Sequence, residues 1–377
     1  EATLFCDEAK VSDKLRGALA KAGVGVAAYE ALGKALTELN KAKAKVWIDP
    51  ATVNAWVLSK LKRATLHAAS SPITRIKARK NDKEILGAKE AHVRDGVAMV
   101  RFLHWLEGAV GNAELSEIDA TDKLREFRQE GESFVFESFG PISGYGANGA
   151  IVHYSAEPES AAKLEKEGIY LIDSGGQYLD GTTDITRTVL LGDKATAEQK
   201  ADFTRVLKGH IAISTLRFPV GTPGRNIDAF ARKALWDVGL DYAHGTGHGV
   251  GAYLGVHEGP QAISPTRCTG IPLELGNILS NEPGFYREGA YGIRIENLIL
   301  VVEDEASKPE GGKAPAKFLR FENLTLCPID TRLVDVKLLT ADERAWLNAY
   351  HKTVRETLSP LVDTKARAWL KRATKAI

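Results

Sequence analysis

Apolar positions in the first 75 residues alternate between helical and strand-like spacing. The spacing predicts helices over Val11–Lys21 and Ala31–Lys43, and Lys45-Val-Trp-Ile-Asp49 reads as a short buried strand closed by Pro50. No cluster of His, Asp or Glu lies in this stretch, so a small structural α/β domain is expected. Pro72 and the basic run Thr74–Lys80 read as a linker whose charges face solvent. Asn81 or Asp82 can cap a long amphipathic helix in which Ile85, Ala88, Ala91, Val93, Val97, Val100 and Leu103 roughly follow a 3.6-residue period. A second helix is expected from Ser116 to Glu130, stopped by Gly131.

Beyond it the period shortens. Strands are predicted over Phe134–Phe139 and, after the glycine-rich loop Gly140–Gly149, over Ile151–Tyr154. A hairpin is predicted from Tyr170–Tyr178 and Thr183–Leu191 around the Asp180-Gly181 turn signal. Thr196-Ala-Glu-Gln199 is a capping box for a helix reaching Arg217, and a shorter helix runs from Ile227 to Val238. A loop rich in glycine and histidine follows, then strands over Gly276–Asn281 and Tyr291–Val302. The order helix, helix, loop with histidine, hairpin with carboxylates thus occurs twice, which reads as an architectural repeat. Ala306–Lys317, rich in Pro, Gly and Lys, is expected to be a surface loop. The tail is helical, with Trp346, Tyr350 and Trp369 as anchors that pack on the core or on a second subunit. The expected organisation is a small α/β domain over 1–75, an α/β (α+β) domain over 76–330 and a helical extension over 331–377.

Composition narrows the class. Of 377 residues 44% are hydrophobic and 26% charged, enough apolar surface for a large core and against disorder. Fifty basic against 49 acidic side chains give no bulk electrostatic argument for nucleic acid or anionic lipid as a partner. No stretch approaches the roughly 20 apolar residues of a membrane-spanning helix. Cys6, Cys268 and Cys327 are far apart and outside any CxxC spacing, so a reducing, cytoplasmic location is expected rather than a disulfide framework. The chain opens at Glu1 without a targeting segment, and a processed or truncated front is the expectation.

Candidate chemistry sits on the two hairpins. Asp173 and Asp184 lie eleven apart on the first, and Glu282 and Glu296 fourteen apart on the second. His248 lies between them, in His244-Gly-Thr-Gly-His-Gly-Val-Gly251. Carboxylates set among Leu171, Ile172, Ile293 and Ile295 are costly to bury unless something neutralises them. Four acids converging in one interior call for cations, and two divalent ions supply the charge. Four oxygen donors with one imidazole suit Mn²⁺ or Co²⁺, with Zn²⁺ as an alternative. Such a pair of ions serves amide hydrolysis.

These motifs carry a resemblance. Leu171–Thr188, His244–Gly251, Val256-His-Glu-Gly-Pro260, Asn281-Glu-Pro-Gly284 and Gly292-Ile-Arg-Ile-Glu-Asn297 resemble those of the Xaa-Pro aminopeptidases (aminopeptidase P), metallopeptidases with a pita-bread fold and a pseudo-twofold repeat. The resemblance runs through the C-terminal extension typical of the eukaryotic cytosolic form, while the longer form's N-terminal domain lies ahead of Glu1. It implies that Asp173, Asp184, His248, Glu282 and Glu296 are metal ligands, with Asp184 and Glu296 bridging. Glu282 would also accept the proton of the attacking water. It implies roles for His153 in substrate binding, and for His244 and His257 in lining the pocket, orienting the scissile bond or passing a proton. Arg294 is expected to neutralise or orient carboxylates, and Thr186 to donate to a ligand. The implied activity is removal of the N-terminal residue from peptides with proline second, by a cytoplasmic homodimer. A prolidase, a methionine aminopeptidase and a non-catalytic peptide-binding member of the same fold are the alternatives.

Overall fold

The structure is a computed structural model that describes residues 2–267, 270–305 and 317–377. Cys268 and the bulk of the predicted 306–317 surface loop lie outside the described residues. The chain divides into two compact units, Glu1–Ile76 and Lys77–Ile377.

In the first unit the strand Ala2–Cys6 pairs in parallel with Val24–Ala28, and Lys45–Ile48 with Thr65–Ala68. Parallel pairs need crossovers, and the helix Asp13–Lys21, capped by Ser12, supplies the first. The second pair is bridged by the helix Ala55–Lys60, capped by Asn54. Pro72–Ala78 is helical rather than an extended linker.

The second unit starts with α1 (Asp82–Ala109), closed by a reciprocal capping box between Asn81 and Glu84. One face of α1 buries Ala91, Met99, Phe102 and Leu106. α2 (Glu117–Gln129) has the same device at Ser116 and Asp119. Three antiparallel strands follow, β1 (Ile142–Tyr145), β2 (Ile169–Ser174) and β3 (Ile185–Leu190), in the order β3-β2-β1. Asp173 stands opposite both Ile142 and Thr186 in this register.

The strand predicted over Ile151–Tyr154 is displaced. Its place beside β2 is taken by β1, inside the predicted glycine-rich loop, and Gly146–Ala150 forms a 3-10 turn. The glycines mark close approach: a Cβ on Gly144 would lie 2.6 Å from the Gly149 Cα, so the chain folds back on the strand.

The repeat continues with α3 (Ala197–Ser214) and α4 (Asp228–Trp236). α3 ends before Arg217 because Arg217–Pro219 joins a sheet as an edge strand. Five strands complete the unit: β4 (Ile278–Asn281), β5 (Gly284–Arg287), β6 (Tyr291–Arg294), β7 (Asn297–Glu303) and β8 (Phe318–Asn323). β4, β7 and β8 form one antiparallel sheet with the edge strand, while β5 and β6 form a separate hairpin. The predicted strand Tyr291–Val302 is therefore broken at Ile295-Glu296. Glu282 and Glu296 both fall where the chain leaves one sheet for another, freeing their side chains from the alternation of a regular strand.

α5 (Ala341–Leu358) and α6 (Thr364–Ala373) close the chain. Leu347, Tyr350, Val354 and Trp369 share one buried cluster with Met99, Phe102 and Phe203, and Trp346 packs against it. The tail's large apolar side chains are thus taken up by the chain's own core.

Candidate metal centre

Both hairpins deliver their carboxylates to one place. Glu296 N donates to Thr186 O at 3.1 Å, and the Thr188 hydroxyl bridges to the Arg294 backbone, accepting from its N–H at 3.0 Å and donating to its carbonyl at 3.1 Å. These bonds stitch β3 to the segment around Glu296. Arg187, next along β3, is fully buried and donates to the Glu296 carbonyl at 2.6 Å. The loop carrying His248 is fixed from the other side, where His248 N donates to Ser280 Oγ at 2.8 Å.

A cavity of about 790 Å³ results. The eight candidate ligands and active-site histidines all line it: His153, Asp173, Asp184, His244, His248, His257, Glu282 and Glu296. Three of them, Asp184, His248 and Glu296, bring ligand atoms within 4.8 Å of one another. The His248 Nε2 lies 3.5 Å from Asp184 Oδ2 and 3.4 Å from Glu282 Oε1. Asp173 and Glu282 stand beside this cluster with other partners. Arg294 Nη2 donates to Asp173 Oδ2 at 2.7 Å, and Ser280 Oγ donates to Glu282 Oε1 at 2.9 Å.

The donor set fits metal ions on an observation independent of family. Asp173 Oδ1, Asp184 Oδ1 and Glu296 Oε1 are buried and make no hydrogen bond, although an ionised carboxylate so placed is expensive to leave unpaired. Cations at those oxygens would remove the cost. The imidazole is set up in the same sense: its Nδ1 lies 3.0 Å from the Gly249 carbonyl, which can only accept, so Nδ1 carries a proton and Nε2 is the nitrogen aimed at the cluster, where a cation would displace its proton.

Electrostatics without the ions show the strain. Burial, followed by the Asp184 and Asp173 charges, pushes the Glu296 carboxyl well above the usual range, and burial also lifts Asp184 to about 7 and raises Glu282. Burial works against a charge on His248, yet the carboxylates around it raise its pKa to about 9. Excess negative charge here retains protons that divalent ions would displace.

Thr186 and Arg294 have the company expected of them. Thr186 Oγ1 donates to Glu296 Oε2 at 2.6 Å, and Arg294 Nε reaches both Asp173 Oδ2 and Thr186 Oγ1 at 3.2 Å. Tyr286 was not singled out in the sequence. Its hydroxyl accepts from Arg294 Nη1 at 2.6 Å and lies 2.8 Å from His244 Nε2. Since His244 Nδ1 donates to the Gly245 carbonyl at 2.8 Å, the hydroxyl is the donor to Nε2. A chain therefore runs from His244 through Tyr286 and Arg294 to Asp173. The only signal for Tyr286 was its place four residues after Glu282, which says nothing without the β5–β6 hairpin. His257 sits edge-on to His248, ring centroids 4.3 Å apart, and His153 enters from the folded-back segment after the 3-10 turn.

Known proteins place the geometry in context. Residues 87–303 match metallopeptidase family M24, residues 317–377 the C-terminal region of peptidase M24, and residues 1–84 the creatinase/prolidase N-terminal domain. Aminopeptidase P2 of Arabidopsis thaliana is 44% identical over 98% of this chain and 56% of its own length. Xaa-Pro aminopeptidase 1 of Dictyostelium discoideum is 42% identical over 100% of this chain and 60% of its own. The X-prolyl aminopeptidase of Caenorhabditis elegans, described as a cytosolic enzyme with a di-nuclear active site, superposes with a TM-score of 0.92 at 37% identity. That match covers 100% of this chain and 62% of the nematode protein. The chain thus spans less than two thirds of the length of these relatives.

Proposed function

Because this chain belongs to metallopeptidase family M24 and has the pita-bread fold, we propose that it is the catalytic part of a dinuclear metallo-aminopeptidase that removes the residue preceding a penultimate proline. The observation that carries the reading is the buried cluster of Asp184, His248 and Glu296, with unsatisfied carboxylate oxygens facing a cavity ringed by three more histidines.

Asp173, Asp184, His248, Glu282 and Glu296 would hold two divalent ions, with Mn²⁺ the first choice and Co²⁺ or Zn²⁺ the alternatives. Bound there, the ions supply Lewis-acid polarisation of the attacked amide and a nucleophile at neutral pH. The protein's own groups do the rest. Glu282, oriented through Oε1 by Ser280, is the base for the attacking water. The leaving nitrogen belongs to proline, a tertiary amide without N–H, so recognition falls to shape and to imidazole donors. His153 and His257 face the cavity and serve that purpose, and His244 is oriented for it by Tyr286. Arg294 holds Asp173 in place through the contact at 2.7 Å.

A homodimer and a cytoplasmic location belong to the same proposal. The second rests on the nematode relative, described as cytosolic; no described helix is long and apolar enough to cross a membrane. Tyr350 and Trp369 are buried in the intramolecular core, with Trp346 partly buried against it, so those two do not supply a dimer surface.

The test is turnover of an Xaa-Pro-Pro fluorogenic peptide in Mn²⁺, alongside an Xaa-Pro dipeptide and a Met-Gly peptide. Turnover confined to the tripeptide type, lost on chelation and in Asp173→Asn and His248→Ala, is expected. Undiminished turnover in metal-free protein refutes the mechanism, and preference for the dipeptide makes the chain a prolidase.

A further inference from the structure

The basic run before α1 was expected to lie in solvent, and Lys80 does not. It is the one buried lysine among the described residues, its side chain 1% exposed. Its Nζ donates to Glu258 Oε1 at 2.8 Å, while Lys77 Nζ pairs with Glu258 Oε2 at 2.7 Å. Both oxygens of one carboxylate are thus held by the segment that enters the second unit.

That segment is itself fixed. Lys80 N donates to Gly276 O at 2.9 Å, and Asn277 Nδ2 donates to Ala78 O at 3.1 Å, so the backbone around Lys80 is tied to the turn that starts β4. Gly276 adopts a φ of +80°, and a Cβ there would lie 2.6 Å from Lys80 O. The contact is backbone on backbone, which leaves little room to slide.

Glu258 has an informative position. It follows His257 directly, and its N–H donates to Gly249 O at 2.8 Å, one residue beyond His248. The intervening loop wraps its carboxylate: Cβ atoms on Gly251 and Gly255 would come within 3.0 and 3.2 Å of Oε2. The loop that carries His257 is therefore closed around a charge whose counter-ion comes from a segment about 180 residues earlier in the chain. A buried ion pair adds little net stability over apolar packing, and its best-attested use is to fix one arrangement among several.

We propose that Lys80, acting through Glu258, is a positioning residue for His257, holding the 249–258 loop so that the imidazole stands against His248 and faces the cavity. This rests on the aminopeptidase reading for its effect on rate. A displacement of a reacting group's partner by about 1 Å costs on the order of a hundredfold in rate.

The experiment uses the full chain with Mn²⁺ and compares Lys80→Met, Lys80→Arg and Glu258→Gln. It reads metal per chain, thermal midpoint, kcat and KM on the Xaa-Pro-Pro peptide, and, in histidine-labelled protein loaded with diamagnetic Zn²⁺ in place of Mn²⁺, the His257 ring resonances, assigned with His257→Gln. Lys80→Met is expected to keep its metal, lower kcat by about 10- to 100-fold with KM within about threefold, and move the His257 resonances. Lys80→Arg restores the resonances and most of kcat, and Glu258→Gln, nearly isosteric, reproduces the Lys80→Met pattern. Unchanged kcat and unchanged resonances in Lys80→Met overturn the proposal. So does equal loss of metal or fold in all three variants, which makes the pair a general stabiliser. If the wild-type chain cleaves none of the peptides, the reading of function fails, while the His257 resonances still decide the positional claim.

Discussion

Replacing Arg187 by lysine keeps the charge and removes the guanidinium fork. Arg187 is fully buried and donates to six acceptors: Pro328 O at 3.0 Å, Thr186 O at 2.9 Å, Glu296 O at 2.6 Å, Asn297 Oδ1 at 2.8 Å, Cys327 O at 2.9 Å and Tyr350 OH at 3.0 Å. These acceptors come from β3, the β6–β7 break, the segment before α5 and α5 itself, so one side chain ties four parts of the unit. A lysine ammonium has three donors, so at least three acceptors lose the hydrogen bond that Arg187 gives them. At about 1 kcal/mol for each buried group left short, Arg187→Lys costs on the order of 3 kcal/mol. For a unit running from Lys77 to Ile377 that corresponds to a fall of about 5 °C in midpoint. Because the same fork holds Thr186 O and Glu296 O, metal affinity should fall by about 10- to 100-fold as well. Thermal melts of the metal-free protein measure the first effect, and calorimetric titration with Mn²⁺ the second. A midpoint within about 2 °C of wild type, with unaltered affinity, would refute the idea that this fork organises the centre, and retention of the positive charge removes long-range electrostatics as an escape.

Gly292→Ala is expected to be severely destabilising, because the new Cβ would lie 1.6 Å from Gly149 O, where β6 meets the turn that leads to His153. Gly17→Ala, with nothing within 4 Å of its Cβ in a helix, is the control and should be neutral or stabilising by up to about 1 kcal/mol; similar melts for the two would discredit the close-approach reading. Acid should also weaken the fold through His351, whose pKa burial and then the Arg187 charge lower to about 4 from an ordinary 6.5. Between those values the unfolded chain takes up a proton that the native state refuses. The His351 contribution is therefore complete above pH 6.5 and lost as pH falls towards 4, on the order of 3 kcal/mol in all. His351→Gln should flatten that part of the stability–pH curve, and parallel curves for the two proteins would sink the assignment.

What could be read directly from the residues was whatever is decided within a few positions. The capping box at Thr196 is a contact between a residue and its third successor, and its helix starts where the box places it; of the two caps offered for the first helix, Asn81 is the one used. The carboxylate and histidine motifs were equally legible, because each carries its own glycines and turn residues, and all eight side chains line one cavity. What stayed hidden depended on partners far along the chain. Lys80 looked like any surface lysine until Glu258 arrived beside it, and Trp346, Tyr350 and Trp369 could have faced a partner until the main core cluster took up Tyr350 and Trp369, with Trp346 packed against it. Neither Tyr286 nor Arg187, although the latter lies in the Leu171–Thr188 motif, showed its role in the sequence, since their hydrogen-bond partners come together only after the sheets pack. Even the strand predicted around His153, over Ile151–Tyr154, was misplaced, because the glycines that read as a loop are small so that two backbones can touch. Periodicity and capping are properties of a segment, whereas the fate of a buried charge is set by whatever charge tertiary packing brings to meet it.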